Sequence, residues 1–219
     1  MIVKYGMIQL IKHEFLIQNK VNNLTKYFFI FFVFCSGSIT IISSHDKIAY
    51  FGLIFSLISI PLSLIGISIN FLRSEIEDGS LELLITSFNP IQITLSKYIN
   101  LFICGSIAFI STLPISYFLF HMNTTHLSLL FISGILLMST SCGIIVLISS
   151  VQCYFRSNTN FLSSLLMPLI IPSIILSGMI IENNNSNHSI ILILLGVNCI
   201  VVPISIYLSS YLIENIYNI

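Results

Sequence analysis

The stretch Leu127-Ser-Leu-Leu-Phe-Ile-Ser-Gly-Ile-Leu-Leu-Met-Ser-Thr-Ser-Cys-Gly-Ile-Ile-Val-Leu-Ile-Ser-Ser-Val151 contains no Asp, Glu, Lys, Arg or His. A bilayer core of about 30 Å needs roughly 20 predominantly apolar residues as an α-helix, so this segment is long enough to cross one. A strand is excluded, because an open strand in lipid leaves its backbone donors and acceptors unpaired and the alternation of a barrel strand is absent. This segment is therefore read as a membrane-spanning helix.

Outward from it, runs of the same character cover about 25–44, 48–72, 98–120, 157–181 and 189–213, which with 127–151 gives six expected spans. The 219-residue chain is 56% hydrophobic and 7% charged, with a mean hydropathy of +1.01. Soluble domains carry about 25% charged residues, so this chain cannot present an ordinary aqueous surface. The expected architecture is all-α: one polytopic membrane domain over residues 1–219.

Lys and Arg number 8 and Asp and Glu number 8, so no basic excess exists to neutralise a phosphate backbone, and nucleic acid is not an expected partner. Cys35, Cys104, Cys142, Cys153 and Cys199 are scattered singly without C-x-x-C spacing and read as small buried hydrophobes. Lys4, Lys12, Lys20 and Lys26 spread through the first 26 residues. With no short apolar core among them and no small-residue cleavage site, a signal peptide is not expected.

Orientation follows from the retention of Lys and Arg on the cytoplasmic side. With the N-terminus inside, that side carries Lys4, Lys12, Lys20, Lys26, Arg73, Lys97 and Arg156, and the outside carries Lys47. Both termini are then cytoplasmic. Within residues 8–24, Ile8, Ile11, Phe15 and Leu16 fall near one face, with Lys12, Glu14 and Lys20 elsewhere. Residues 1–24 are accordingly expected to form an elbow helix in the headgroup layer.

Residues 73–97, between spans two and three, hold Arg73, Glu75, Glu77, Asp78, Glu82 and Lys97 in an otherwise oily chain. Ser74 and Glu77 have capping-box spacing, and Asp78 before Gly79 offers a second helix start. Leu81, Leu84, Ile85 and Phe88 follow at i, i+3, i+4 and i+7, the apolar stripe of a short amphipathic helix, with Glu82 off the stripe. Asn89-Pro90 stops that helix and can start another, with Pro90 at its first position, running through Lys97 into span three.

A solvated loop kept out of lipid by its acids needs no such stripe, so a docking role is the reading adopted. The stripe is expected to supply apolar contact, and Glu75, Glu77, Asp78 and Glu82 to select the partner by charge. No G-x-x-x-x-G-K-[ST] phosphate loop occurs, so any ATP chemistry belongs to a separate subunit.

Pro168 and Pro172, four apart in span five, are a candidate hinge or a static kink, and Pro61, Pro114 and Pro203 read as static. Gly66, Gly105, Gly134, Gly143 and Gly178 suggest close helix packing. His45, His121, His126 and His188 belong to the outer connectors or their edges, where polar loop residues are ordinary. The spans lack the mid-membrane carboxylates of an ion-coupled transporter, and no catalytic constellation or metal-ligand motif occurs, so neither an enzyme nor a metal site is expected.

Glu77-Asp-Gly79-Ser80-Leu81-Glu82-Leu-Leu84, followed by Pro90 and Lys97, resembles the E-x-G-[ST]-L-E-L-L segment of ABC-2-type exporter permeases, where it forms the cytoplasmic coupling helix. Thr112-Leu-Pro114 and Leu166-Met-Pro168-Leu-Ile-Ile-Pro172, ending at Ser177-Gly178, resemble segments of the CcmB family, the cytochrome c maturation protein B permeases. The similarity covers nearly the whole chain.

The resemblance implies a permease subunit in a bacterial inner membrane, with a CcmA-like ATPase carrying the ATP, CcmC-like and CcmD-like membrane subunits, and indirectly a periplasmic haem chaperone. Haem is then a possible substrate rather than a bound cofactor. An ABC-2 permease for a drug, lipid or polysaccharide, and a membrane scaffold or haem-binding anchor using the outer histidines, remain the alternatives.

Overall fold

The computed structural model describes residues 2–17, 24–42, 48–68, 71–72, 75–76, 78–155, 166–182 and 187–216. The helices are α1 (Ile2–Ile17), α2 (Leu24–Ile42), α3 (Ile48–Ser68), α4 (Ser80–Ser87), α5 (Pro90–Leu119), α6 (Thr124–Tyr154), α7 (Leu166–Glu182) and α8 (Asn187–Ile216). No strand occurs among the described residues.

Among the described residues three helices, α5, α6 and α8, are long and apolar enough to cross a membrane. Shorter apolar helical stretches cover Thr25–Ser38, Phe51–Leu64 and Pro168–Ile181. Helix α5 runs unbroken from Pro90 through Lys97 into the third span, as expected. Residues 157–165 of the expected fifth span, and the capping pair Ser74 and Glu77, lie outside the described residues.

These apolar helices carry many serines and threonines, which a bilayer tolerates only when their hydroxyls are satisfied. Most donate to the carbonyl one turn back: Ser56 Oγ to Leu53 at 2.8 Å, Thr112 Oγ1 to Phe109 at 2.7 Å and Ser149 Oγ to Val146 at 2.9 Å. Between helices, the hydroxyls of Tyr98 on α5 and Ser139 on α6 share a 2.8 Å hydrogen bond.

The core is organised around α6, which packs against α3, α5, α7 and α8. Within its most apolar window 67% of residues are buried, against 17% for α8, so α6 is the centre of the bundle and α8 lies on its outside. Glycines permit the close approaches. Gly105 on α5 receives the Met138 side chain of α6, and Gly134 on α6 receives the Phe109 ring of α5, a reciprocal knob-and-hole pair. A Cβ at Gly105 would lie 2.5 Å from Met138 Cε, and one at Gly143 would lie 2.8 Å from Ser205 Oγ on α8.

Gly178, expected to pack closely, faces nothing within 4 Å; the surroundings of Gly66 fall outside the described residues. Cys104 and Cys142 are buried, Cys153 is half-buried and Cys199 is exposed, so the reading of every cysteine as buried fails at Cys199. Helix α1 packs along α5, and α4 packs against the same helix.

Candidate functional site

The approach to α4 is a short run of turns. Ile76 N–H donates to the Leu72 carbonyl and Gly79 N–H to the Ile76 carbonyl, each at 3.2 Å. Gly79 then takes φ 69° and ψ 5°, the left-handed conformation that a residue without Cβ adopts at least cost. The N-cap is therefore Gly79, not Asp78, which is exposed. Ser80 Oγ reaches back to the Glu75 carbonyl at 3.3 Å and ties the helix start to the connector.

At the other end Phe88 is extended, with φ −136° and ψ 152°, and donates its N–H to the Leu84 carbonyl at 2.8 Å. Asn89 is also extended, and its carbonyl accepts from Gln92 and Ile93 N–H at 2.8 and 3.2 Å while Pro90 opens α5. The expected restart is present. It uses the backbone carbonyl of Asn89, with no side-chain cap.

The apolar stripe of α4 faces inward. Leu81 is completely buried, Ile85 packs against the core, and Leu84 and Phe88 are half-buried. The Phe88 ring sits so near Gly6 of α1 that a Cβ there would be 3.2 Å from it. Of the residues expected to form a docking face, Leu81 is used entirely by the chain's own core, while Leu84, Ile85 and Phe88 are partly exposed. The exposed side carries Glu82, Leu83, Thr86 and Ser87, with Leu83 72% exposed. Leu83 was legible as the one leucine of the segment off the i, i+3, i+4, i+7 register.

Lys97 lies on the buried side of α5 with Ile93, Thr94, Asn100, Leu101 and Cys104, one stripe at helical spacing. Its ammonium is fully buried and donates to Glu14 Oε1 at 3.0 Å and to Glu75 Oε1 and Oε2 at 2.5 and 2.6 Å. The Phe71 ring centroid lies 5.9 Å away, within cation–π range. Three segments distant in sequence, α1, the connector and α5, thus meet at one buried cation.

Glu75, expected to select a partner by charge, pairs with Lys97 inside the protein. Burial outweighs the attraction of Lys97 and holds the Glu75 carboxyl above the ordinary carboxylate range. On α1, Leu10 and Glu14 point inward, Phe15 packs against the core, and Ile8 and Leu16 are exposed.

Of the proline pair, Pro172 lies inside α7 and Pro168 in the opening turn of that helix, and both are exposed. Only Pro172 interrupts hydrogen bonding within the described helix. His45 and Glu77 lie outside the described residues. His121, at φ 48°, and His188 are exposed and His126 is half-buried. Among the described residues no group of His, Cys, Asp and Glu has a metal-binding arrangement.

The family model described as CcmB protein matches residues 39–214. An uncharacterized protein of Rickettsia prowazekii (strain Madrid E) is 44% identical over 214 residues, 98% of this chain and 99% of that protein. Another, from Rickettsia conorii, is 45% identical over the same shares. No solved structure matches the chain. A family match across most of the chain, together with three helices of membrane-crossing length, makes this a membrane protein, and the chain belongs to the CcmB family.

Proposed function

We propose that this protein is the permease subunit of an ABC complex serving cytochrome c maturation in a bacterial inner membrane, with six spans and both termini cytoplasmic. The observation that supports it most directly is the family match over residues 39–214. The charge count agrees in sign: with Lys97 removed to the protein interior, six basic residues still stand against Lys47.

A CcmA-like ATPase docks on the exposed side of α4, where Leu83 enters an apolar depression and Glu82 and Asp78 set orientation by charge. Leu81 and Ile85 anchor the opposite side of α4 in the bundle, and the Asn89-Pro90 break joins α4 directly to the 30-residue α5. ATP-driven closure of the ATPase pair therefore pushes on a short lever rooted in α5, and the work emerges at the periplasmic end as export or release of haem. CcmC-like and CcmD-like subunits complete the complex, and the haem chaperone receives its cargo outside it.

The test is affinity purification of the intact chain in mild detergent with identification of the co-purifying subunits. Recovery of an ATPase together with haem-handling membrane proteins is the expected result. Recovery of the chain without an ATPase overturns the reading.

A further inference from the structure

Among the described residues the buried cluster is not charge-balanced. Lys97 brings one positive charge, and Glu14 and Glu75 together bring two negative ones. The lysine side chain is 0% exposed, that of Glu14 2% and that of Glu75 18%. Glu75 places both oxygens on the ammonium, whereas Glu14 uses Oε1 alone and leaves Oε2 buried without a hydrogen-bond partner. A second ionised carboxylate in this setting is an uncompensated charge removed from water, which proteins avoid by taking up a proton.

No further described cation enters the site to balance it. On α1, Lys12 and His13 are exposed; on α2, Lys26 is exposed; on the α4 side, Asp78 and Glu82 are exposed and negative. The remaining neighbour identified on the ammonium is the Phe71 ring, which carries no charge. The field of His13 favours ionisation of Glu75 and that of Glu14 opposes it, with burial outweighing both.

We propose that the Glu14–Glu75–Lys97 cluster is a proton-binding site, in which one proton taken up by the cluster makes it neutral and clamps α1 and the Glu75 connector onto α5. The proton comes from solvent and returns to it. The site stands independently of any ATPase docking on α4.

The sign of the pH dependence follows. A carboxyl whose proton is held more tightly in the folded chain than in the unfolded one stabilises the fold fully at pH values below the unfolded pKa. That contribution is lost as the pH rises through the folded pKa. The purified full-length chain in mild detergent should therefore lose thermal stability as the pH rises above the range where exposed carboxylates titrate.

The decisive measurement is infrared spectroscopy of the same sample, reading the carbonyl band of a protonated carboxyl. The wild type should show the band at pH values where exposed carboxylates are already ionised and lose it on further alkalinisation. Glu75→Gln and Glu14→Gln should each abolish it, since a single carboxylate then pairs with Lys97 one to one, and each should flatten the pH profile of Tm. A wild type without the band, or single variants that both retain it, would overturn the proposal. The wild-type spectrum decides even where a variant fails to fold.

Discussion

Replacing Lys97 by methionine removes the only cation, among the described residues, from a site that holds two carboxylates. In the folded chain the ammonium is fully buried, Glu14 is 2% exposed, and the Nζ to Glu14 Oε1 distance is 3.0 Å. Solvent cannot take over the vacated role, and the methionine thioether accepts no charge. Removing one partner of a buried ion pair costs about 3–5 kcal/mol because the other is left uncompensated. For a chain of this size that is a fall in Tm on the order of 10 °C.

The control sharpens the measurement. Exchanging all three members for methionine removes the charges together, and such apolar replacements of buried ionic groups are commonly neutral or stabilising. The expected order of Tm in mild detergent is therefore triple variant near wild type, with Lys97→Met well below both. A loss for Lys97→Met under about 1 kcal/mol, the value of an exposed surface pair, would show that the cluster is solvated and would refute the reasoning.

Leu83→Asp should leave stability within about 0.5 kcal/mol of wild type while abolishing recovery of the ATPase on affinity purification; Leu81→Ala should instead cost about 2–5 kcal/mol of stability through the cavity it leaves. Gly134→Ala drives a Cβ into the Phe109 ring and should destabilise by about 1–3 kcal/mol, with Phe109→Leu in the same chain restoring part of the loss in thermal unfolding. Gly79→Ala imposes a side chain at φ 69° and should cost about 1–2 kcal/mol, read by the same assay.

Much of the fold was legible because a bilayer leaves the backbone few choices. The apolar run 127–151 lies wholly within α6, and the Asn89-Pro90 break falls where proline's missing N–H and fixed φ require one. The i, i+3, i+4, i+7 stripe of 81–88 was also visible, but periodicity reports only that one face of a helix is apolar. In a soluble protein that face meets the core or a partner; here Leu81 meets the chain's own core. The register pattern carried no information to separate the two.

Glu14 and Lys97 were hidden for a different physical reason. Their partnership spans 83 residues of sequence, so no local spacing reveals it, and each alone reads as a solvated charge at a membrane surface. Lys97 did leave one trace: it shares a helical stripe with Ile93, Thr94, Asn100, Leu101 and Cys104, a position where an unpaired ammonium would be prohibitively costly. A lysine in register with a buried stripe requires an anion from elsewhere in the fold.

That anion is double, and its two sources give the cluster a mechanical meaning beyond stability. Glu14 arrives on α1 and Glu75 on the connector that Ser80 Oγ grips at its carbonyl. Phe88, at the far end of α4, presses against Gly6 on the same α1. Helix α4 is thus fastened at its start through Glu75 to Lys97 and at its end through Phe88 to α1, while Pro90 joins it to α5. A force applied at Leu83 that moves α4 must move α1 and α5 with it or break the cluster.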